Sequence, residues 1–263
     1  MTKTLQDTPL LAARNLAVTV ADRTLVQGLD LALRSGETLA ILGRNGTGKT
    51  TLLHTLAGLR PPAAGKIELC GRSYAEQGPH EAALLRGLLA QTQSDAFPAS
   101  VLETALIGRH PHLGRWAWES SHDKNIAIAA LAAVGLAGLE EREVHTLSGG
   151  ERQRLAIATL LTQQPRLYLL DEPLSYLDLN HQLAMLELAT RYAGKECGAG
   201  FIIILHDVNL AMRYCQRVLL LFGDGRWREG PSEEVLNAET LGELYGHPLR
   251  ELHDGKRRHF VPA

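Results

Sequence analysis

Gly43-Arg44-Asn45-Gly46-Thr47-Gly48-Lys49-Thr50 lies between a short apolar run, Thr38 to Leu42, and a stretch of helical periodicity, Lys49 to Leu59. The octapeptide fits G-x-x-x-x-G-K-[ST] in full, with the strand before it and the helix after it that the pattern requires. Its glycines let the backbone curl so that successive N–H groups face inward, an anion nest at a helix N-terminus. Lys49 is placed to reach the β- and γ-phosphates of a nucleotide and the Thr50 hydroxyl to hold Mg²⁺. Gly43, Arg44, Asn45, Gly46, Thr47, Gly48, Lys49, Thr50 and the following Thr51 are therefore the candidate phosphate-binding residues.

Outward from this loop the chain alternates apolar strands with helices. Leu11 to Val20 and Leu25 to Leu33 read as strands around a turn at Ala21-Asp22-Arg23, and Arg60-Pro61-Pro62 stops the helix that follows the loop. Further strands are expected at Lys66–Cys70, Leu88–Gln91, Leu167–Leu170, Phe201–Leu205 and Val218–Phe222. Helices are expected at Val101–Arg109, Lys124–Val134, Glu151–Gln163, His181–Tyr192 and Val208–Tyr214. Strands separated by helices predict an α/β fold with a mostly parallel sheet covered on both faces. Residues from about 93 to 163 carry helices and no strand, so they read as a helical subdomain inserted in the core. No Gly/Ser linker divides the chain, and residues 1–263 are taken as one domain.

Composition narrows the class. The 263 residues are 45% hydrophobic and 21% charged, which excludes a disordered chain. Lys plus Arg number 27 against 29 Asp plus Glu, without the basic balance of a general nucleic-acid binder. The longest uncharged run, Asn125 to Leu139, is shorter than the roughly 20 residues needed to span a bilayer. The N-terminal stretch shows no secretory apolar region. Three cysteines, Cys70, Cys197 and Cys215, form no C-x-x-C pair and read as reduced thiols of a cytoplasmic protein.

A phosphate loop of this kind needs a second metal ligand at the end of a neighbouring strand. Leu167-Tyr168-Leu169-Leu170-Asp171 supplies an apolar strand ending in a carboxylate, and Glu172 follows at once. Adjacent carboxylates at a strand end point different ways. Asp171 is assigned to the metal and Glu172 to the attacking water as general base.

Leu147-Ser148-Gly149-Gly150-Glu151-Arg152-Gln153-Arg154 opens the helix that runs to Gln163, with Ser148 as a good N-cap and two glycines for close approach to an anion. Here the sequence resembles the ATP-binding-cassette (ABC) ATPases, whose signature is L-S-G-G-x-x-x-R. In the expected order, Gln91 resembles their Q-loop glutamine, Ser175-Tyr176-Leu177-Asp178 their D-loop and His206 their switch histidine.

The resemblance implies a P-loop NTPase cassette with a RecA-like sheet core, an N-terminal antiparallel β part and the inserted helical subdomain. It implies ATP and Mg²⁺ as cofactors, with Gln91 joining Thr50 and Asp171 at the metal and joining Glu172 and His206 in catalysis. It implies a head-to-tail homodimer in which Ser148, Gly149 and Gly150 meet the γ-phosphate bound by the partner, with Asp178 communicating across the interface. The family often stacks an aromatic on adenine near the place of Val20. No aromatic lies between Met1 and Lys49, so weak base discrimination is expected.

Gln91-Thr92-Gln93, Ala96-Phe97-Pro98, Ile107-Gly108-Arg109-His110-Pro111-His112, Leu177-Asp178-Leu179-Asn180-His181-Gln182 and Leu205-His206-Asp207-Val208-Asn209-Leu210-Ala211 are similar to the ATPases of importers for iron chelates, haem and cobalamin. The Ala96-Phe97-Pro98 stretch favours haem; ferric siderophore and cobalamin are the alternatives. That class implies two transmembrane permease subunits, a periplasmic binding protein reached through them, and a place on the cytoplasmic face of the inner membrane. A soluble non-transport ABC ATPase is the reading from another class; the long coiled coil, second cassette or basic surface usual there is absent. Trp116 and Trp118 read either as permease contacts or as packing inside the helical subdomain. His110 and His112 are read as surface without a metal, and Lys256-Arg257-Arg258-His259 as a solvated tail.

Overall fold

The computed structural model describes residues 8–91, 98–114, 116–194, 197–255 and 257–263. The chain opens with β1 (Leu11–Val20) and β2 (Arg23–Leu33), then β3 (Thr38–Leu42) and α1 (Lys49–Leu56). β4 (Ala64–Leu69), β5 (Arg72–Ser73), α2 (Tyr74–Leu85) and β6 (Arg86–Leu89) follow. The helical part comprises α3 (Val101–Leu106), a 3-10 turn (Ile107–His112), α4 (Ser121–Ala133), a second 3-10 turn (Val144–Thr146) and α5 (Gly149–Gln163). Beyond it come β7 (Leu167–Leu170), α6 (Leu179–Ala193), β8 (Gly200–Ile204), α7 (Val208–Tyr214), β9 (Arg217–Leu221) and β10 (Trp227–Pro231). α8 (Ser232–Val235), α9 (Ala238–Tyr245) and the hairpin β11 (Leu249–Asp254) and β12 (Arg257–Pro262) end the chain.

Six strands form the central sheet in the order β10-β9-β3-β8-β7-β6. All neighbours pair in parallel except β9 and β10. β3, β7 and β8 are buried at every residue, as strands covered on both faces must be, and apart from Thr38 their sequences are correspondingly apolar. A second sheet, β2-β1-β4-β5, is antiparallel throughout and packs its inner residues with Leu39, Ile41 and α1 in one core cluster. The helical part shares the opposite cluster with the other face of the sheet: Ala105, Leu131 and Leu155 lie in it together with Leu170, Phe201 and Leu220. The expected α/β architecture, with a parallel core and an antiparallel N-terminal part, is the one observed.

Within the helical part a buried ion pair replaces apolar packing. Arg109 Nε donates to Asp123 Oδ1 at 2.8 Å, and Arg109 Nη1 donates to Thr162 O and Gln164 Oε1. Asp123 also closes the capping box of α4 with Ser120. Hydrogen bonds from Ser120, then from Arg109, hold the Asp123 carboxyl well below the usual carboxylate range. Three segments distant in sequence are thereby tied at one guanidinium.

Several boundaries differ from expectation. α1 ends at Leu56, where Gly58 N–H bonds Thr55 O and Leu59 N–H bonds His54 O, a Schellman closure that ends the helix before Pro61. The expected helix Val101–Arg109 gives way to the 3-10 turn after Leu106. Pro111 has no N–H to continue an α-helix, and Gly108 lies directly on the backbone of α5 at Thr159. α2 has no counterpart in the sequence reading because Gly78 and Pro79 interrupt its pattern with a kink. The basic run near the C-terminus is no solvated tail among the described residues. Arg257–His259 lie in β12, paired with β11, and Arg258 reaches Glu233 O and Glu251. No helix among the described residues is long and apolar enough to cross a membrane.

Candidate active site

The parallel sheet delivers the site as a row of strand ends. β3 runs into the phosphate loop, β8 into His206, β7 into Asp171 and Glu172, and β6 towards Gln91, all at the same edge because neighbouring strands are parallel and in register. Ligands of open α/β sheets bind at this carboxyl edge. A cleft of about 500 Å³ lies along it, lined by Asn45, Gly46, Gly48, Lys49, Thr50, Thr51, Gln91, Glu172 and His206, with Val20, Arg23 and Leu25 at its border.

Gly43 and Gly48 shape the loop. At φ 157 a Cβ on Gly43 would lie 2.7 Å from Leu221 O and 2.8 Å from Thr47 Oγ1; at φ 96 one on Gly48 would lie 2.7 Å from Leu25 Cδ1. Only glycine serves at both. Thr47 Oγ1 donates to Arg44 O at 2.9 Å, so Gly43, Arg44 and Thr47 form the frame of the loop and do not line the cleft. Lys49 Nζ donates to Gly43 O at 2.9 Å and Arg44 O at 3.1 Å, which folds the ammonium back over the loop. Burial lowers its pKa, against the opposing pull of Glu172 and Asp171.

Thr50 Oγ1 donates to Asp171 Oδ1 at 3.2 Å. Asp171 is fully buried, and its Oδ2 has no hydrogen-bond partner among the described residues. Burial raises the carboxyl's pKa, with the Thr50 hydrogen bond opposing. A buried carboxylate oxygen left without a partner is costly unless a cation meets it. Two hard oxygen donors side by side, one of them orphaned, fit a Mg²⁺ ion.

Glu172 sits at φ 49, in the left-handed region that a non-glycine residue rarely adopts. Its Oε1 meets His206 Nε2 at 2.8 Å and its Oε2 accepts from Gln91 Nε2 at 3.1 Å. The carboxylate is thus held from both sides by groups delivered on β8 and β6. Gln91, Glu172 and His206, predicted from separate parts of the sequence, form one hydrogen-bonded row. Gln91 reaches Glu172 and has no bond to Asp171 or Thr50 among the described contacts.

The other predicted residues lie elsewhere. Ser148 caps α5, its Oγ accepting from Glu151 N at 3.2 Å, with Gly149 and Gly150 in the first turn. Asp178 caps α6, accepting from His181 N at 2.9 Å and pairing with His181 Nδ1 at 2.8 Å. None of these four lines the cleft. Trp116 and Trp118 are 89% and 88% exposed, which overturns packing inside the helical subdomain. His112 Nε2 lies 2.8 Å from Gln163 O, and no cluster of three metal-ligating side chains occurs among the described residues. Thr92 to Phe97, which carry most of the stretch read as favouring haem, lie outside the described residues.

Arg23 reads in the sequence only as a turn residue. Its Nη2 donates to Gly223 O at 2.7 Å, and this fixes the guanidinium at the border of the cleft. No local signal marks it, because its partner is 200 residues away.

The ABC transporter family model matches residues 26–175. The hemin import ATP-binding protein HmuV of Gloeobacter violaceus is 42% identical over 244 residues, 90% of this chain and 87% of that protein. Its namesake in Deinococcus radiodurans is 42% identical over 248 residues, 92% of each chain. Among solved structures, a chain from a metal-chelate type ABC transporter in an inward-facing conformation superposes with a TM-score of 0.84 at 33% identity, covering 97% of this chain and 98% of that one. With the strand-end row, the phosphate loop and the signature helix all in place, the chain belongs to the ABC transporter family, as one of its ATP-hydrolysing cassettes.

Proposed function

We propose that this chain is the ATP-hydrolysing subunit of a bacterial importer that takes up haem (hemin) across the inner membrane. The observation that carries the hydrolytic part is the Gln91–Glu172–His206 row facing the phosphate loop across one cleft. The substrate part is supported by the hemin import proteins to which the chain is 42% identical and by its likeness to a metal-chelate type transporter.

The residues divide the work as follows. Main-chain N–H groups of the loop and the Lys49 ammonium hold the β- and γ-phosphates of ATP. Thr50 and Asp171 hold Mg²⁺, which when bound neutralises charge on the phosphate oxygens. Glu172 takes the proton of the attacking water, while Gln91 and His206 keep its carboxylate aimed across the cleft. Arg23, fixed by Gly223, and Val20 border the end of the cleft where the base lies. A planar guanidinium stacks on either purine, in keeping with weak base discrimination.

Ser148, Gly149, Gly150 and Asp178 do not line this cleft, so their contribution falls to a second copy in a head-to-tail homodimer. Two permease subunits, reached in part through the exposed Trp116 and Trp118, seat that dimer on the cytoplasmic face of the inner membrane. A periplasmic binding protein supplies the cargo. The test is reconstitution of the dimer with its permease in proteoliposomes. ATP-dependent hemin accumulation that vanishes in Glu172→Gln is expected. Accumulation of a ferric siderophore or cobalamin in place of hemin would overturn the substrate assignment.

A further inference from the structure

The C-terminal hairpin carries no nucleotide motif, yet it is bonded to the segment that holds His206. Asn209 follows His206 by three residues, in the first turn of α7. Its side-chain amide grips β12 with both ends: Phe260 N donates to Asn209 Oδ1 at 2.8 Å, and Asn209 Nδ2 donates to Phe260 O at 3.2 Å. Phe260 is itself buried in the core cluster beneath the sheet, so the grip is on a fixed object. Asp207, between the histidine and the helix, accepts from Asn209 N at 2.7 Å and Leu210 N at 3.2 Å. The same C-terminal unit also touches the phosphate loop: Gly246, which ends α9, packs so closely under Arg44 that a Cβ there would lie 3.1 Å from Nη1.

His206 stands on a short connector between β8 and α7. At the strand end it is anchored by parallel pairing. At the helix end α7 has only seven residues, too few to be stable alone, and Val208, Leu210 and Ala211 pack its apolar side on the core. Among the described residues the side-chain hydrogen bonds that tie its first turn to another element are those of the Asn209 amide, and their geometry needs a group that both donates and accepts.

We propose that Asn209 is a positioning residue for His206, and that the β11–β12 hairpin braces the switch segment so that His206 meets Glu172 in register with the phosphate loop. The proposal rests on the hydrolytic reading above, and the two fail separately. Hydrolysis by the full chain that disappears in Lys49→Ala establishes the parent reading without Asn209.

Against that baseline, Asn209→Ala is expected to lower kcat on the order of 10–100-fold, the effect of a small misplacement near the chemistry. The Kd for ATP, read by fluorescence of a nucleotide analogue, is expected to stay within about twofold, since the phosphate contacts are untouched. Asn209→Asp keeps the acceptor for Phe260 N–H and is expected to recover part of kcat. In a His206→Ala background the further change Asn209→Ala is expected to add nothing, because the two act as one unit. Hydrogen exchange of the 206–214 amides is expected to quicken in Asn209→Ala with the rest of the sheet unchanged. Additive losses in the double variant, a fall in ATP affinity that matches the fall in kcat, or unchanged kcat in Asn209→Ala would each overturn the proposal. Should Asn209→Ala not fold, Asn209→Asp and Asn209→Ser carry the same comparison.

Discussion

Two helix N-termini in this molecule have the features of anion sites, and they are in different states. The N-terminus of α1 opens into a cleft, and its cap, Gly48, offers no side chain to the free N–H groups. The N-terminus of α5 is closed on itself: Ser148 and Glu151 exchange capping bonds, and Arg142 pairs with Glu151. One helix end is surrounded by the buried lysine, the orphaned carboxylate oxygen and the Glu172 row. The other stands exposed, satisfied by its own residues, with Tyr176 of the neighbouring turn against its glycines. The same local chemistry has thus been placed once against a cleft and once as an exposed end satisfied by its own capping residues. The difference is set by what the sheet brings to each end, since α1 starts at a strand edge and α5 starts in the helical part.

The largest expected effect tests the end against the cleft. Lys49→Ala removes the charge proposed to face the β- and γ-phosphates and should abolish both tight ATP binding and turnover. Isothermal titration and a phosphate-release assay check the two together. Next, Glu172→Gln keeps shape and one acceptor but cannot take a proton. Hydrolysis should fall about 10²–10⁴-fold while ATP binding through Lys49, Thr50 and Asp171 survives. Binding without hydrolysis should then trap an ATP-bound dimer, visible on gel filtration as a nucleotide-dependent doubling in mass. Near-normal hydrolysis would remove Glu172 as the base.

Ser148→Arg probes the other helix end. It should leave ATP affinity of the monomer unchanged yet block hydrolysis, because in the proposed head-to-tail dimer the bulky cation would sit where the partner's γ-phosphate docks. An affinity loss equal to that of Lys49→Ala would place Ser148 in the same half-site and dissolve the contrast.

Asp123→Ala strands the Arg109 guanidinium inside the helical part and should cost about 3–5 kcal/mol of stability, measured by urea denaturation. Because the folded carboxyl is depressed, its contribution is complete above an unfolded pKa of about 3.9 and declines as pH falls towards the folded value. Wild-type stability should therefore drop more steeply than that of Asp123→Ala on acidification below that point. The smallest effect concerns the base: ATP and GTP should differ by less than about tenfold in Kd, and Arg23→Ala should weaken both by roughly 1–3 kcal/mol, the range for base stacking. Inorganic triphosphate should bind equally to both proteins.

Legibility follows the range of the interactions. The phosphate loop, the Asp171-Glu172 pair and the cap at Ser148 were readable because each is a backbone conformation dictated by neighbours in sequence: glycines where no Cβ fits, a carboxylate at the end of an apolar strand, a hydroxyl before a helix. α2 was not readable, since Gly78 and Pro79 break its pattern and it is held by Tyr74 on Leu56 O and by Gln77 on Leu69 O. The hairpin at the C-terminus read as a charged tail because its strands bury little besides Phe260.

Sequence alone thus determined where the phosphate loop, the strand-end carboxylates and the capped helix of Ser148 lie along the chain, because those choices are local. Tertiary structure decided which of them meet. Gln91 and His206 close on one carboxylate only because β6, β7 and β8 lie side by side and parallel. Arg23 reaches Gly223 across 200 residues and Asn209 reaches Phe260 across 51. Such contacts leave no periodicity and no motif, since a single amide or guanidinium finding a distant main-chain group imposes no pattern on its own neighbours.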